Sequence, residues 1–245
     1  SWESLWPIKP EVVFEGGNLA KLENDSIDYH EDLDILTTSS NTAINSFARF
    51  NATSAATAFA SNFLAKLRDV YPNAWPETLR ALMIHSASWN SEMIKQFKID
   101  LKKVGDKQKL LRIFGHGVPN LEKAIECKSN YLTFISEEVI QPYKLDGTIK
   151  TNEIHYYEFP WPSEILANLG SANVTLRITL SYYIEPNPGD KGYSTKYSYQ
   201  SCALKFLLID PTEDFDNFKI RTNRINIENL KDELGVDKLS DGDYD

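Results

Sequence analysis

Ser54 is the residue best placed for chemistry. It lies in Phe50-Asn51-Ala52-Thr53-Ser54-Ala55-Ala56-Thr57, a small and polar run leading into an apolar pattern that ends at Tyr71 before Pro72. That pattern predicts a helix over 54–71 with its N-terminus near Ser54. Unpaired N–H groups and the positive end of the helix dipole favour negative charge there, on a serine oxygen losing its proton or on a neighbouring oxyanion. Ala55, Ala56, Ala58, Ala60 and Ser61 give the first turns short side chains, which predicts a helix closely packed in a domain centre. Thr53 or Ser54 acting only as an N-cap would contribute about 1 kcal/mol and no chemistry. Local residue types leave both readings open.

A serine hydroxyl is a weak nucleophile until a histidine takes its proton and a carboxylate orients that histidine. The chain has four histidines. His30 lies in the acidic stretch Asn24–Asp34, read as an inserted surface loop after the Gly16-Gly17 turn. His85 sits on an amphipathic helical pattern and reads as a packed or interface residue. His116 lies between two glycines in a turn, and His155, among Tyr156, Tyr157 and Phe159, reads as part of a strand. None is expected to serve as the base.

Ala52-Thr53-Ser54-Ala55-Ala56-Thr57 resembles the serine motif of the subtilisin-like serine proteases (subtilases, peptidase S8), Gly-Thr-Ser-x-Ala-x-Pro, with Ser54 in the nucleophile position. Ala52 replaces the usual Gly and is expected to crowd the turn, and Thr57 replaces the usual Pro and gives up its rigidity. Three flanking segments follow the family order. Lys9-Pro10-Glu11-Val12-Val13-Phe14-Glu15-Gly16-Gly17 resembles the family's Lys-Pro-Asp-Val-x-Ala-Pro-Gly strand and turn, with Gly16 where Pro is usual. The run from Trp75 to Ala87 resembles the helix after the serine helix, and Phe114-Gly115-His116-Gly117-Val118-Pro119-Asn120 resembles the closing Gly-x-Gly segment. More loosely, Leu176–Gly189 is similar to the accessory β region of large bacterial subtilases.

The resemblance implies a Ser-His-Asp triad in the chain order Asp, His, Ser, so the partners of Ser54 are expected upstream, before residue 1. The oxyanion-hole Asn of the family is expected there too. Asn51 and Asn62 match other positions, and the N–H of Ser54 is what remains of the oxyanion hole. The implied function is the C-terminal portion of an endopeptidase acting on a peptide or protein substrate, inactive as an isolated chain. The start at Ser1-Trp2-Glu3-Ser4-Leu5-Trp6, without an initiator Met or signal peptide, adds the expectation that the chain begins inside a longer protein. Its partner would then be the missing N-terminal portion of the catalytic domain, and unpaired strand edges would favour self-association of the fragment. A noncatalytic subtilase-derived scaffold or interaction module is the alternative.

Composition fits a globular chain: 245 residues, 42% hydrophobic and 12% aromatic, suffice for a core and for two domains. No apolar run reaches the roughly 20 residues of a bilayer span, so no membrane partner is expected. With 26 basic against 35 acidic residues and a net charge of −9, nonspecific nucleic-acid binding is not expected either. Cys127 and Cys202 leave one disulfide or none open, and such sparse cysteine fits a reducing, cytoplasmic setting. No metal-ligand spacing is present, and no cofactor or metal is expected.

The expected fold is an α/β subtilisin-like catalytic-domain portion over 1–128, followed by an all-β sandwich or jelly-roll-like domain over 129–245. Helices are predicted near 54–71, 76–87, 90–98, 107–114 and 120–127, the last entered through Pro119. Strands are predicted at Tyr131–Ile135, Ile154–Phe159, Val174–Tyr183 and Ala203–Ile209, with turns at Asp146-Gly147, Pro160-Trp161-Pro162 and Pro186–Gly189. Short helices are expected near 163–169 and 227–234. The Pro186–Gly192 loop, with Tyr193 and Tyr197, is read as a strand connection or a ligand-contacting rim, and Asp241–Asp245 as a solvated acidic tail.

Overall fold

The computed structural model describes residues 9–127, 133–159, 162–184, 204–210 and 212–223. Ser1–Trp6, the Pro186–Gly192 loop with Tyr193 and Tyr197, Cys202, the 227–234 helix and the Asp241–Asp245 tail lie outside these residues. The chain divides into two compact units, Ser1–Thr133 with Thr175–Ala203 and Phe134–Val174 with Leu204–Asp245. A single cut near 128–130 does not reproduce this division, because residues 177–183 bond to a helix of the first unit.

The first unit opens with two small hairpins. β1 (Leu19–Lys21) pairs antiparallel with β2 (Ile27–Tyr29), and β3 (Ile35–Thr38) with β4 (Phe47–Phe50). Between the hairpins, Glu31–Leu33 forms a 3₁₀ turn. The Asn24–Asp34 stretch is thus at the surface, as its acidity indicates, but it carries a strand and a turn rather than a plain loop.

Five helices follow: α1 (Thr53–Val70), α2 (Pro76–Ser86), α3 (Ser91–Gln96), α4 (Val104–Phe114) and α5 (Leu121–Glu126). Pro76 begins α2, where its missing N–H costs nothing. Asn90 and Asn120 cap α3 and α5 by accepting from the N–H groups of Met93 and Lys123 at 2.9 and 2.8 Å. Pro119 therefore precedes the cap of α5 and is not its first helical residue.

The core lies where α1, α2 and α5 meet. Phe63 and Leu67 of α1 pack with Leu79, Leu82 and Met83 of α2, and with Ala124 and Cys127 at α5. Val12 and Phe14 close the cluster from the preceding segment, Phe14 meeting Phe63 edge to face at 5.9 Å. The hydroxyl of Tyr71 donates to the carbonyls of Ala124 and Ile125, binding the end of α1 to α5. Leu67 is fully buried, so Leu67→Ala is expected to cost about 3 kcal/mol, read as a lowered midpoint in urea unfolding. The expectation that the first turns of α1 pack closely in a domain centre is corrected: they are exposed or half-buried, Phe59 is 44% exposed, and the buried residues of α1 are Phe63 and Leu67.

In the second unit, β5 (Tyr143–Asp146) and β6 (Thr148–Thr151) form a hairpin around Gly147 at φ 69°, the conformation its Asp-Gly turn demands. α6 spans Ser163–Asn168, as expected, and residues 215–223 are helical. Tyr156 meets Phe215 and Phe218 edge to face, and its hydroxyl shares a hydrogen bond with Thr222 at 3.1 Å. The predicted strands Ile154–Phe159 and Val174–Tyr183 and the described part of Ala203–Ile209 join no ladder, so no sandwich or jelly roll forms among the described residues. His155 is likewise outside any strand. An alternating aromatic and β-branched sequence calls for a surface beneath one face, and here helices supply it. Tyr156 uses the 215–223 helical stretch, and Thr179 uses α2.

Candidate active site

α1 begins one residue before Ser54. Ala52 is its N-cap and offers no side-chain cap, so Thr53 and Ser54 are the first and second helical residues and not caps. The Ala55 N–H donates to the Ala52 carbonyl at 3.0 Å. Ser54 is exposed, and neither its hydroxyl nor its N–H is hydrogen-bonded among the described residues. An unpaired N–H beside a free hydroxyl at a helix start is the arrangement that accommodates an oxyanion.

The turn holding Ser54 is braced from below. Asn51 donates from Nδ2 to the Asn18 carbonyl at 2.7 Å and to Asp34 Oδ1 at 2.9 Å. Gly17, at φ 86°, lies so near the Asn51 side chain that a Cβ there would overlap it. A Cβ at Gly16 would come within 3.2 Å of the Ala52 carbonyl oxygen. The Gly16-Gly17 pair is therefore the floor of the serine turn. Ala52 itself is extended at φ −167°, a conformation open to any residue, so the expected crowding in place of Gly is absent. Thr57, in place of Pro, returns its hydroxyl to the Thr53 carbonyl at 3.2 Å. Asn51 and Asp34 hold the turn before Ser54, a link that sequence reading missed; its signal was the place of Asn51 immediately before the motif.

The closing segment is threaded between two others. Val13 donates to the Gly117 carbonyl at 3.0 Å, His116 N–H to the Glu11 carbonyl at 2.8 Å, and Ser88 and Val118 exchange two bonds at 3.1 and 2.9 Å. The Glu11 carboxylate is ion-paired with Arg80 and lies 3.4 Å from Lys9. Burial raises its pKa, but hydrogen bonding and charge from Arg80 outweigh that and hold it below the ordinary value.

The histidines lie elsewhere. Exposed His30 caps the 3₁₀ turn, accepting from Asp32 N–H at 3.3 Å. On α2, His85 Nδ1 shares a 2.8 Å hydrogen bond with Thr179 Oγ1. His155 meets the Tyr157 hydroxyl at 3.5 Å and Glu153 at 3.7 Å. None of these, nor His116, is hydrogen-bonded to Ser54. Among the described residues no group of three His, Cys, Asp or Glu could hold a metal ion, and no helix is long and apolar enough to cross a membrane. Cys127 is a buried free thiol.

Residues 1–117 match the model of the subtilase family, peptidase S8. No curated protein and no solved structure matches the chain. The matched span contains the Gly16-Gly17 floor, the serine turn, α1, α2 and the Gly115–Gly117 closure, the elements that present Ser54. Residues 1–117, just under half of the 245-residue chain, thus resemble the subtilase family of serine proteases.

Proposed function

We propose that the chain is the C-terminal portion of a subtilisin-type serine endopeptidase and that Ser54 is its nucleophile. The observation that carries this reading is the free Ser54 hydroxyl and N–H at the start of α1, on a turn braced by Asn51 and the glycine pair. In the reaction, Ser54 Oγ attacks the scissile carbonyl of a peptide as a histidine takes its proton, and the Ser54 N–H donates to the oxyanion. The acyl group then passes to water, and the hydroxyl is restored. The histidine, its Asp partner and the oxyanion-hole Asn are contributed by protein outside this chain, which makes the chain alone inactive. The exposed start of α1 and the exposed apolar residues Leu36, Phe47 and Phe59 supply a surface for that portion, or for self-association in its absence. The working compartment in this proposal is cytoplasmic.

A fluorophosphonate probe tests the nucleophile. The assembled catalytic domain is expected to be labelled on Ser54, located by mass spectrometry, and the isolated chain is not. Folded, intact protein that takes up no label would favour a noncatalytic scaffold built on the same fold.

A further inference from the structure

Between α1 and α2 the first unit holds a cleft of about 500 Å³, within the range of ligand sites. Leu64 and Arg68 reach it from successive turns of α1, and Leu79 and Met83 from successive turns of α2. Leu79 and Met83 are buried and Leu64 is half-buried, so the floor is apolar. Tyr183 forms a wall and is held there by Arg80, whose guanidinium stands 5.6 Å from the ring centroid and donates to Ser181 Oγ and the Tyr182 carbonyl at 3.2 and 3.4 Å. The charge of Arg80 is met by Glu11, which also lies 3.4 Å from Lys9. Arg68 differs. Its Nη1 donates to the carbonyls of Pro72 and Ala74 at 3.1 and 2.6 Å, neutral acceptors that fix the guanidinium without cancelling its charge. Among the described residues no carboxylate pairs with it, and its Nε and Nη2 make no hydrogen bond. Those two nitrogens form an edge of parallel donors that matches a carboxylate. The cleft thus carries three cations and one carboxylate, a positive surplus in a chain whose net charge is −9.

We propose that this cleft binds the C-terminal residue of a peptide, its carboxylate on the Nε–Nη2 edge of Arg68 and its apolar side chain on Leu64, Leu79 and Met83. The spacing favours one residue supplying both groups. Leu64 and Arg68 are i, i+4 neighbours, about 5–6 Å apart at Cβ, and a terminal leucine carries its carboxylate and its side chain at a similar separation. The cleft is open beside Tyr183, which is 64% exposed, and the preceding peptide chain leaves through that side into water. Glu11 at the rim repels a second carboxylate, so an acidic residue beside the terminus is disfavoured. Leu64 lies about 15 Å along α1 from Ser54, and the binding proposed here does not depend on the role of that serine.

Fluorescence anisotropy on the whole chain tests this, with a short fluorescein-labelled Gly/Ser peptide ending in leucine, supplied as the free acid and as the C-terminal amide. The acid is expected to bind saturably and the amide about tenfold more weakly, the loss expected for a charge-assisted pair. Arg68→Gln should weaken the acid by the same factor and bind acid and amide alike, since the two changes remove one interaction. Tyr183→Ala, at an exposed position outside the core, should weaken both peptides equally, by a few-fold. Acid and amide bound alike by the unsubstituted chain would overturn the proposal, as would no saturation by the acid up to about 1 mM. An undiminished preference for the acid in Arg68→Gln would remove Arg68 from the site. Hexanoate displacing the acid peptide at equal concentration would show a site for small apolar acids and would overturn the peptide assignment. Should Arg68→Gln not fold, Arg68→Lys takes its place: it keeps the charge and loses the fork, and an acid preference that does not fall counts against the proposal.

Discussion

Ser54→Ala in the assembled catalytic domain is expected to lower kcat by roughly 10⁶-fold, the loss known for subtilisin itself when its nucleophile is removed. KM should stay within a few-fold, because the lost group forms the acyl bond and contributes little to ground-state binding. The residual rate would come from the oxyanion donors, the Ser54 N–H among them, since an alanine at this position keeps its backbone. Thr53→Ala provides the contrast. Its exposed side chain makes no bond in the serine turn, and only its carbonyl is used, accepting from Thr57. It is expected to leave kcat within a few-fold. Steady-state kinetics on a chromogenic peptide amide separate the two, and a Ser54→Ala enzyme with undiminished kcat would remove Ser54 from the mechanism.

Gly115→Ala is expected to be the most damaging small substitution in the first unit. Gly115 adopts φ 57° and ψ −135°, a region closed to side-chain-bearing residues, and a Cβ there would overlap the carbonyl oxygens of Pro10 and Glu11. Backbone atoms cannot rotate aside as a side-chain tip can. The cost should be on the order of 3 kcal/mol, from the disallowed conformation and from pushing the Pro10–Glu11 segment away. Chemical denaturation of the unit should show it as a lowered midpoint with little change in slope. Gly105→Ala is the control: no atom lies within 4 Å of a Cβ at that site, and it lies inside α4, where alanine is favoured by up to about 1 kcal/mol. Equal destabilisation by both would show that the threading at Gly115 is not what the glycine serves.

The helices were legible because their signals are local. The 3.6-residue pattern, Pro76 and the polar residues Asn90 and Asn120 each act within one turn, and α1, α2, α3 and α5 begin within one residue of expectation. α4 begins three residues early at Val104, where Lys103 offers no side-chain cap to mark the start. The serine turn was legible as a motif, yet its bracing was not. Asn51 reaches Asp34 across 17 positions, and nothing in either residue's neighbours announces the other. The strand readings at Ile154–Phe159 and Val174–Tyr183 fail for a related reason. Val174–Tyr183 alternates as a strand does, but alternation records only that one face is covered. Whether a second strand or the side of α2 covers it is decided by Arg80 and His85, about a hundred positions away.

The threaded closure has a bearing on the order in which the first unit assembles. Its bonds, Val13 to Gly117 and His116 to Glu11, join positions about a hundred residues apart. Closing a flexible loop of that length costs about 4 kcal/mol of chain entropy beyond the fixed term. The α1–α2 contact spans far less chain and repays its closure sooner. The helices are thus expected to gather first, and the glycine segment to slot in late, between the segments at Glu11–Val13 and Ser88. Speed of folding in this unit is therefore governed less by the strength of its core than by the search of one short segment for a narrow gap.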